Sequence, residues 1–173
     1  MRFVAAAAAL TATLSVSSLA LADEVVISRP GAHTPYVLDI EPHVITNDNT
    51  DFFGPGARFT LTLVDNGFVK SINNNVGLGI GTDLLHSRYG DTLFIPVAMQ
   101  WNFFISRNWS VFGEPGVGFY LNDNGLHKSS RGLGDWIFIA GGGRYHFSNS
   151  VALTMRLGLT RYNLFTIGVS FFL

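Results

Sequence analysis

Leu164-Phe165-Thr166-Ile167-Gly168-Val169-Ser170-Phe171-Phe172-Leu173 closes the sequence and alternates in character along its length. In an extended strand Phe165, Ile167, Val169, Phe171 and Leu173 share one face, and that face is apolar throughout. A soluble domain would have to bury it together with a terminal carboxylate, whereas a closed barrel in lipid presents it to the bilayer interface. The stretch speaks about location before it speaks about activity.

The beginning of the sequence points the same way. Arg2 is followed by an uncharged run of apolar and small residues from Phe3 to Leu21, ending Ala20-Leu21-Ala22 before Asp23-Glu24. This is the layout of a secretory signal spanning residues 1–22, with cleavage expected after Ala22. Thr11, Thr13, Ser15, Ser17 and Ser18 interrupt the run and argue against a retained membrane helix. There is no cysteine, so no disulfide framework, thiolate chemistry or lipoprotein anchor is expected.

Composition narrows the class. Charged residues make up 13% and hydrophobic ones 47%, against the roughly 25% charge that a small soluble domain normally carries. Beyond residue 22 no apolar run approaches the ~20 residues of a membrane helix. Alternation reconciles the two, since every second residue can face lipid while its neighbours stay polar or small. A formal net charge of -1 argues against a nucleic-acid partner.

Period two, with breaks, recurs along the rest of the chain and helical period does not. Eight strands are predicted: Tyr36 to Thr46, Ala57 to Val64, Val76 to Leu84, Leu93 to Phe104, Trp109 to Leu121, Trp136 to Phe147, Val151 to Thr160, and the closing stretch. They run to about 10 residues each, the length scale of a strand crossing a bilayer at a tilt, and the number is even. The expected architecture is all-β, an eight-stranded antiparallel up-and-down transmembrane barrel over residues 36–173, preceded by a periplasmic segment over 23–35. Outer loops are expected at Asn47 to Gly56, Leu85 to Thr92, Asn122 to Asp135 and Arg161 to Asn163. Ile105 to Asn108 and Ser148 to Ser150 would be inner turns.

Three places strain this scheme. Asp65 to Asn75 is long for an inner turn, and with the Asn66-Gly67 hairpin signal Phe68 to Ile72 could form an extra short strand. Pro42, Pro96 and Pro115 stand inside strands and predict bulges or irregular pairing there. Gly141-Gly142-Gly143 predicts a bulge that would switch the face shared by Arg144 and His146.

Parity places Asp39, Glu41, Glu114, Arg58, Arg144 and Arg156 inside the barrel. A barrel of this size is just wide enough for side chains to fill. Lone buried charges cost several kcal/mol, so these six are expected to form an ion-paired network rather than a path for solutes. His43 and His146 fall inside as hydrogen-bonding filler. A narrow small-solute channel is the competing reading of the same lumen.

Catalytic and metal signals are weak. His146 and Ser148 share a strand face, where an imidazole could activate a hydroxyl, and Arg144 to Asn149 resembles a short stretch of the outer-membrane lipid A deacylases. No Asp or Glu follows Asp135 to complete such a set. Ser148-Asn149-Ser150 also reads as a turn. Asn47-Asp48-Asn49-Thr50-Asp51 offers oxygen ligands but lacks the glycine and distal glutamate of a calcium loop. The five histidines show no metal spacing, and Gly77, Gly79 and Gly81 alternate as strand glycines with no helix after them. No metal, cofactor or enzymatic activity is expected.

With the strands placed, the chain beyond residue 22 resembles the small outer-membrane β-barrels around the OmpA transmembrane domain and its OmpX and OmpW relatives. Thr166, Gly168, Phe171 and Leu173 fit the C-terminal signal that barrel assembly machinery reads in such proteins, with Leu in place of the usual final Phe. The stretches Trp101 to Phe112 and Tyr145 to Ser148 look like their aromatic strand ends and short turns. The resemblance implies an outer-membrane location, contact with membrane lipid and the assembly machinery, and a monomer. It implies no activity, and a structural or surface-interaction role is the expected one.

Overall fold

Alternating side chains let one ribbon face two environments, and here the ribbon closes on itself. The structure, a computed structural model, describes residues 24–47, 53–87, 90–122, 137–159 and 163–173. Its strands are β1 (Leu38–Asn47), β2 (Phe53–Val64), β3 (Asn74–Ser87), β4 (Gly90–Phe104), β5 (Trp109–Asn122), β6 (Ile137–Ser148), β7 (Val151–Leu159) and β8 (Asn163–Phe172). They pair in sequence order as an antiparallel closed barrel, and β8 returns to β1. The seam is sealed at its end by Leu38 and Leu173, whose backbones exchange hydrogen bonds at 3.0 and 2.8 Å. The signal segment 1–22, Asp23, Trp136, Thr160 and parts of all four expected outer loops lie outside the described residues.

Strands replace loop at several of the expected boundaries. Within Leu85 to Thr92, β3 continues to Ser87 and β4 starts at Gly90, and these two residues pair. Gly90 adopts φ 117, a conformation costly for any other residue, and Ser87 Oγ donates to its carbonyl at 2.9 Å. Likewise Phe53 to Gly56 belong to β2, where they pair with Thr46 to His43.

The prolines do not shift the register. Pro42 pairs normally with Ala57, while pairing with β8 skips Glu41 and Pro42 and resumes unchanged at His43 and Gly168. Pro96 and Pro115 behave alike: the β3–β4 ladder skips from Ile80 to Asp83 and the β4–β5 ladder from Ala98 to Trp101, each in constant register. A strand residue sends its N–H toward one neighbour, so proline interrupts one ladder and leaves the other intact. Gly141 to Gly143 also run in register, paired with Leu157 to Met155, so no bulge switches the face there. The irregularities fall instead between Thr62 and Val64 and between His146 and Ser148, at strand ends.

No extra strand forms between β2 and β3. Residues 65–73 are a folded turn in which the Gly67 N–H reaches the Asn74 carbonyl at 3.0 Å. The Asn74 amide donates to the Val69 and Ile72 carbonyls, both at 2.8 Å, satisfying by side chain what a strand would satisfy by pairing.

Candidate functional site

Alternation sends one residue in two into the lumen, which is filled in three layers. At the loop end, away from the chain termini, Ile45, Leu85, Phe94, Ala98, Phe138, Ala140 and Leu164 form an apolar layer with Tyr120 against it. The middle layer is ionic. At the terminal end Val26, Tyr36, Phe104, Ala152 and Phe172 form a second apolar cluster.

In the ionic layer Asp39 and Glu41 come from β1, Arg58 from β2, Glu114 from β5, Arg144 from β6 and Arg156 from β7, all buried. Arg156 is the hub. Its Nη1 and Nη2 fork onto the two Glu41 oxygens at 2.6 and 2.9 Å, and its Nε reaches Glu114 Oε2 at 2.8 Å. Glu114 also accepts from Arg58 at 3.0 Å and from Gln100 at 2.5 Å. Arg144 donates to Asp39 at 2.6 Å, Asn102 at 2.8 Å and Gln100 at 3.2 Å. The Phe112 ring lies 4.7 Å from the Arg144 guanidinium carbon and 5.0 Å from that of Arg156. Geometry of this quality offsets the desolvation that isolated buried charges would suffer.

A fourth acid completes the layer. Asp83 of β3 lies 3.7 Å from Arg58 and 2.7 Å from His43 Nε2, and His43 Nδ1 lies 3.2 Å from the Glu41 carbonyl. Asp83 stands two residues beyond Gly81 on the same strand face, the parity signal that places it inside. Gly56 makes room for this pair, since a Cβ there would stand 2.3 Å from Asp83 Oδ1 and 2.4 Å from His43 Nε2.

His146 and Ser148 take different hydrogen-bond partners. His146 turns inward and its Nε2 meets Ser110 Oγ at 2.8 Å, with Phe172 stacked on the ring at 5.3 Å. Ser148 lies beyond the register break, exposed, with its Oγ accepting from the Ser150 N–H at 3.2 Å. Both residues line the cavity at the terminal end of the lumen, but no hydrogen bond joins them. The imidazole–hydroxyl hydrogen bond that an esterase built on these two residues would need is not made.

Residues 24–36 cross the terminal end of the lumen. Val26 N–H bonds the Ile105 carbonyl at 3.0 Å, and Asn73 N–H bonds the Ile27 carbonyl at 2.7 Å. His33 stacks on Phe104 at 4.1 Å, and Asn73 Oδ1 accepts from the His33 backbone N–H and ring Nδ1 at 3.3 and 2.5 Å. Glu24 ion-pairs with Arg29 and, at 2.6 Å, with Arg107. The Arg29 hydrogen bond and the Arg107 charge hold the Glu24 carboxyl below its ordinary value, while burial holds the Tyr36 phenol above its own. Between this strap and the barrel lies a cavity of about 310 Å³.

The expected assembly residues have separate positions. Thr166 is buried, 3.5 Å from Arg156 Nη1, whereas Phe171 and Leu173 are exposed on the outer face. Gly168 faces the lumen where β8 passes β1, and a Cβ there would stand 2.6 Å from both His43 Cβ and the Pro42 carbonyl oxygen.

No family model and no curated protein matches this chain. Among solved structures it is similar to the N-terminal β-barrel domain of Pseudomonas aeruginosa OprF, at TM-score 0.58 and 15% identity over 79% of this chain and 96% of that one. A de novo designed transmembrane β-barrel matches at TM-score 0.55 and 13% identity, covering 82% and 98%. The Yersinia pestis outer membrane protein Ail, studied in a phospholipid bilayer nanodisc, matches at TM-score 0.50 and 12% identity, covering 79% and 99%. Identities this low carry the fold and nothing finer. The architecture is that of the small eight-stranded transmembrane barrels, as the sequence resemblance implied.

Proposed function

We propose that the chain is an outer-membrane β-barrel protein, exported by its signal segment and inserted as a monomer, with a structural or surface-interaction role and a lumen closed to solutes. The observation that carries this reading is the barrel's inverted polarity. Its interior holds the buried ion network, while outward residues on most strands are apolar and exposed, as with Leu78, Ile139, Leu157 and Leu159. In water such a continuous belt would drive aggregation, and a lipid bilayer is the solvent it suits. Recognition of Thr166, Gly168, Phe171 and Leu173 by assembly machinery belongs to the same reading.

Fractionation of cells producing the full chain tests it. The protein is expected with outer-membrane lipid and to migrate faster on gels when unboiled, because the closed barrel survives detergent. Recovery in the soluble fraction, with no heat-dependent shift, would overturn the proposal.

A further inference from the structure

By strand parity Asn74 and Val76 point away from the lumen, like Leu78 and Ile80, yet both are buried while Leu78 and Ile80 are bare. The cover is the β2–β3 turn, which folds outward over the barrel wall instead of hanging below it. A register break between Thr62 and Val64 bends the end of β2. Gly67 then comes so close that a Cβ would stand 2.1 Å from Asn74 Oδ1 and 3.2 Å from the Val76 side chain.

The turn is tied to the aromatic wall. Trp101 Nε1 donates to Asn74 Oδ1 at 2.9 Å, and the same Asn74 amide holds the turn through two of its carbonyls. Phe68 meets the Trp101 ring edge-on at 5.7 Å, and Trp101 lies 4.8 Å from Phe103. Phe68 is nonetheless 62% exposed, and Val69 beside it is half-bare. The Trp101 N–H thus spends its hydrogen bond on the turn, while the apolar surface continues from the barrel belt onto Phe68 and Val69. Lys70 and Ser71 follow, with Lys70 Nζ bonded to the Asn66 carbonyl at 2.8 Å.

We infer that the β2–β3 turn is an interfacial anchor: Phe68 and Val69 insert among the phospholipid chains of the leaflet at the terminal end of the barrel, with Lys70 at headgroup level. The occupant is lipid because the patch continues the belt that the proposed function already places in the bilayer, and the inference rests on that reading. An aromatic–aliphatic pair beside a lysine fits the chemistry of a membrane interface.

The absence of native cysteine allows the test with single labels. Phe68→Cys, Val69→Cys, Asn149→Cys and Leu157→Cys, each carrying an environment-sensitive fluorophore, are folded into phosphatidylcholine vesicles with or without lipid nitroxide-labelled near the headgroup. Iodide is the aqueous quencher. Labels at 68 and 69 should be quenched by the nitroxide lipid, with iodide quenching several-fold weaker than at 149, in the turn between β6 and β7. Iodide quenching at 68 and 69 equal to that at 149 would overturn the anchor, and so would shielding from both quenchers, which would signal a protein cover. The label at 157 keeps the two readings apart: if it escapes nitroxide lipid, the membrane placement itself fails, and if it alone is quenched, only the anchor fails.

Discussion

Arg156 concentrates the energetics of the lumen in one side chain, since it neutralises Glu41 and Glu114 together. Arg156→Leu would leave Glu41 with Arg144 at 3.9 Å as its nearest guanidinium and Glu114 with Arg58 and Gln100, and removing one partner from a buried charge network costs about 3–5 kcal/mol. Urea titration of the folded barrel in detergent, followed by the gel shift, should show that loss. The triple change Arg156→Leu, Glu41→Gln and Glu114→Gln should recover much of it, because the penalty lies in stranded charge. Gly168 is a second sensitive point. Gly168→Ala drives a Cβ against backbone and His43, an overpacking that costs roughly 1–3 kcal/mol. Gly113→Ala, where a Cβ meets nothing within 4 Å, should stay within about 0.5 kcal/mol of the parent in the same titration.

At the scale of the element, the strap over residues 24–36 and the broken ladders make separate predictions. Glu24 has its carboxyl held below the ordinary 4.5. Its contribution to the strap is therefore complete above that value and is lost as pH falls through the depressed one. A spin label at Val25→Cys should be immobile at neutral pH and loosen only in acid below 4.5, whereas adding Glu24→Gln should loosen it at every pH. A strap equally mobile across the range would contradict the ion-pair clasp. Pro42→Ala should keep the register and add a slowly exchanging amide on the β1–β8 seam, visible by NMR; fast exchange there would show that the gap in pairing has another cause. Strand existence and facing were legible in the sequence because period two needs only local composition, as in Phe59, Leu61 and Leu63 against Arg58, Thr60 and Thr62. What proline and glycine do inside a strand was not, since it depends on which neighbour receives the lost N–H and on what stands opposite. The fold of residues 65–73 was hidden for the same reason: Asn74 acts as a joint only once Trp101 of β4 stands beside it.

Across the whole molecule the candidate site was partly legible. Parity alone gathered Asp39, Glu41, Arg58, Glu114, Arg144 and Arg156 on the inner face, and the structure brings them within one hydrogen-bonded layer. The pairing of particular partners needed the closed circumference, which joins residues as distant in sequence as Glu41 and Arg156. Closure also stacks an apolar layer above the ions and a strap below them, so that no single residue seals the lumen. An interior of this width is just wide enough for side chains to fill, which is why the proposed role includes no solute path. The most direct test of the account is single-channel recording of the full barrel, its folding verified by heat-modifiable migration, in a planar lipid bilayer under applied voltage. A closed lumen leaves the bilayer at baseline conductance. Stable, stepwise, ohmic openings that disappear when the protein is boiled before addition would contradict it.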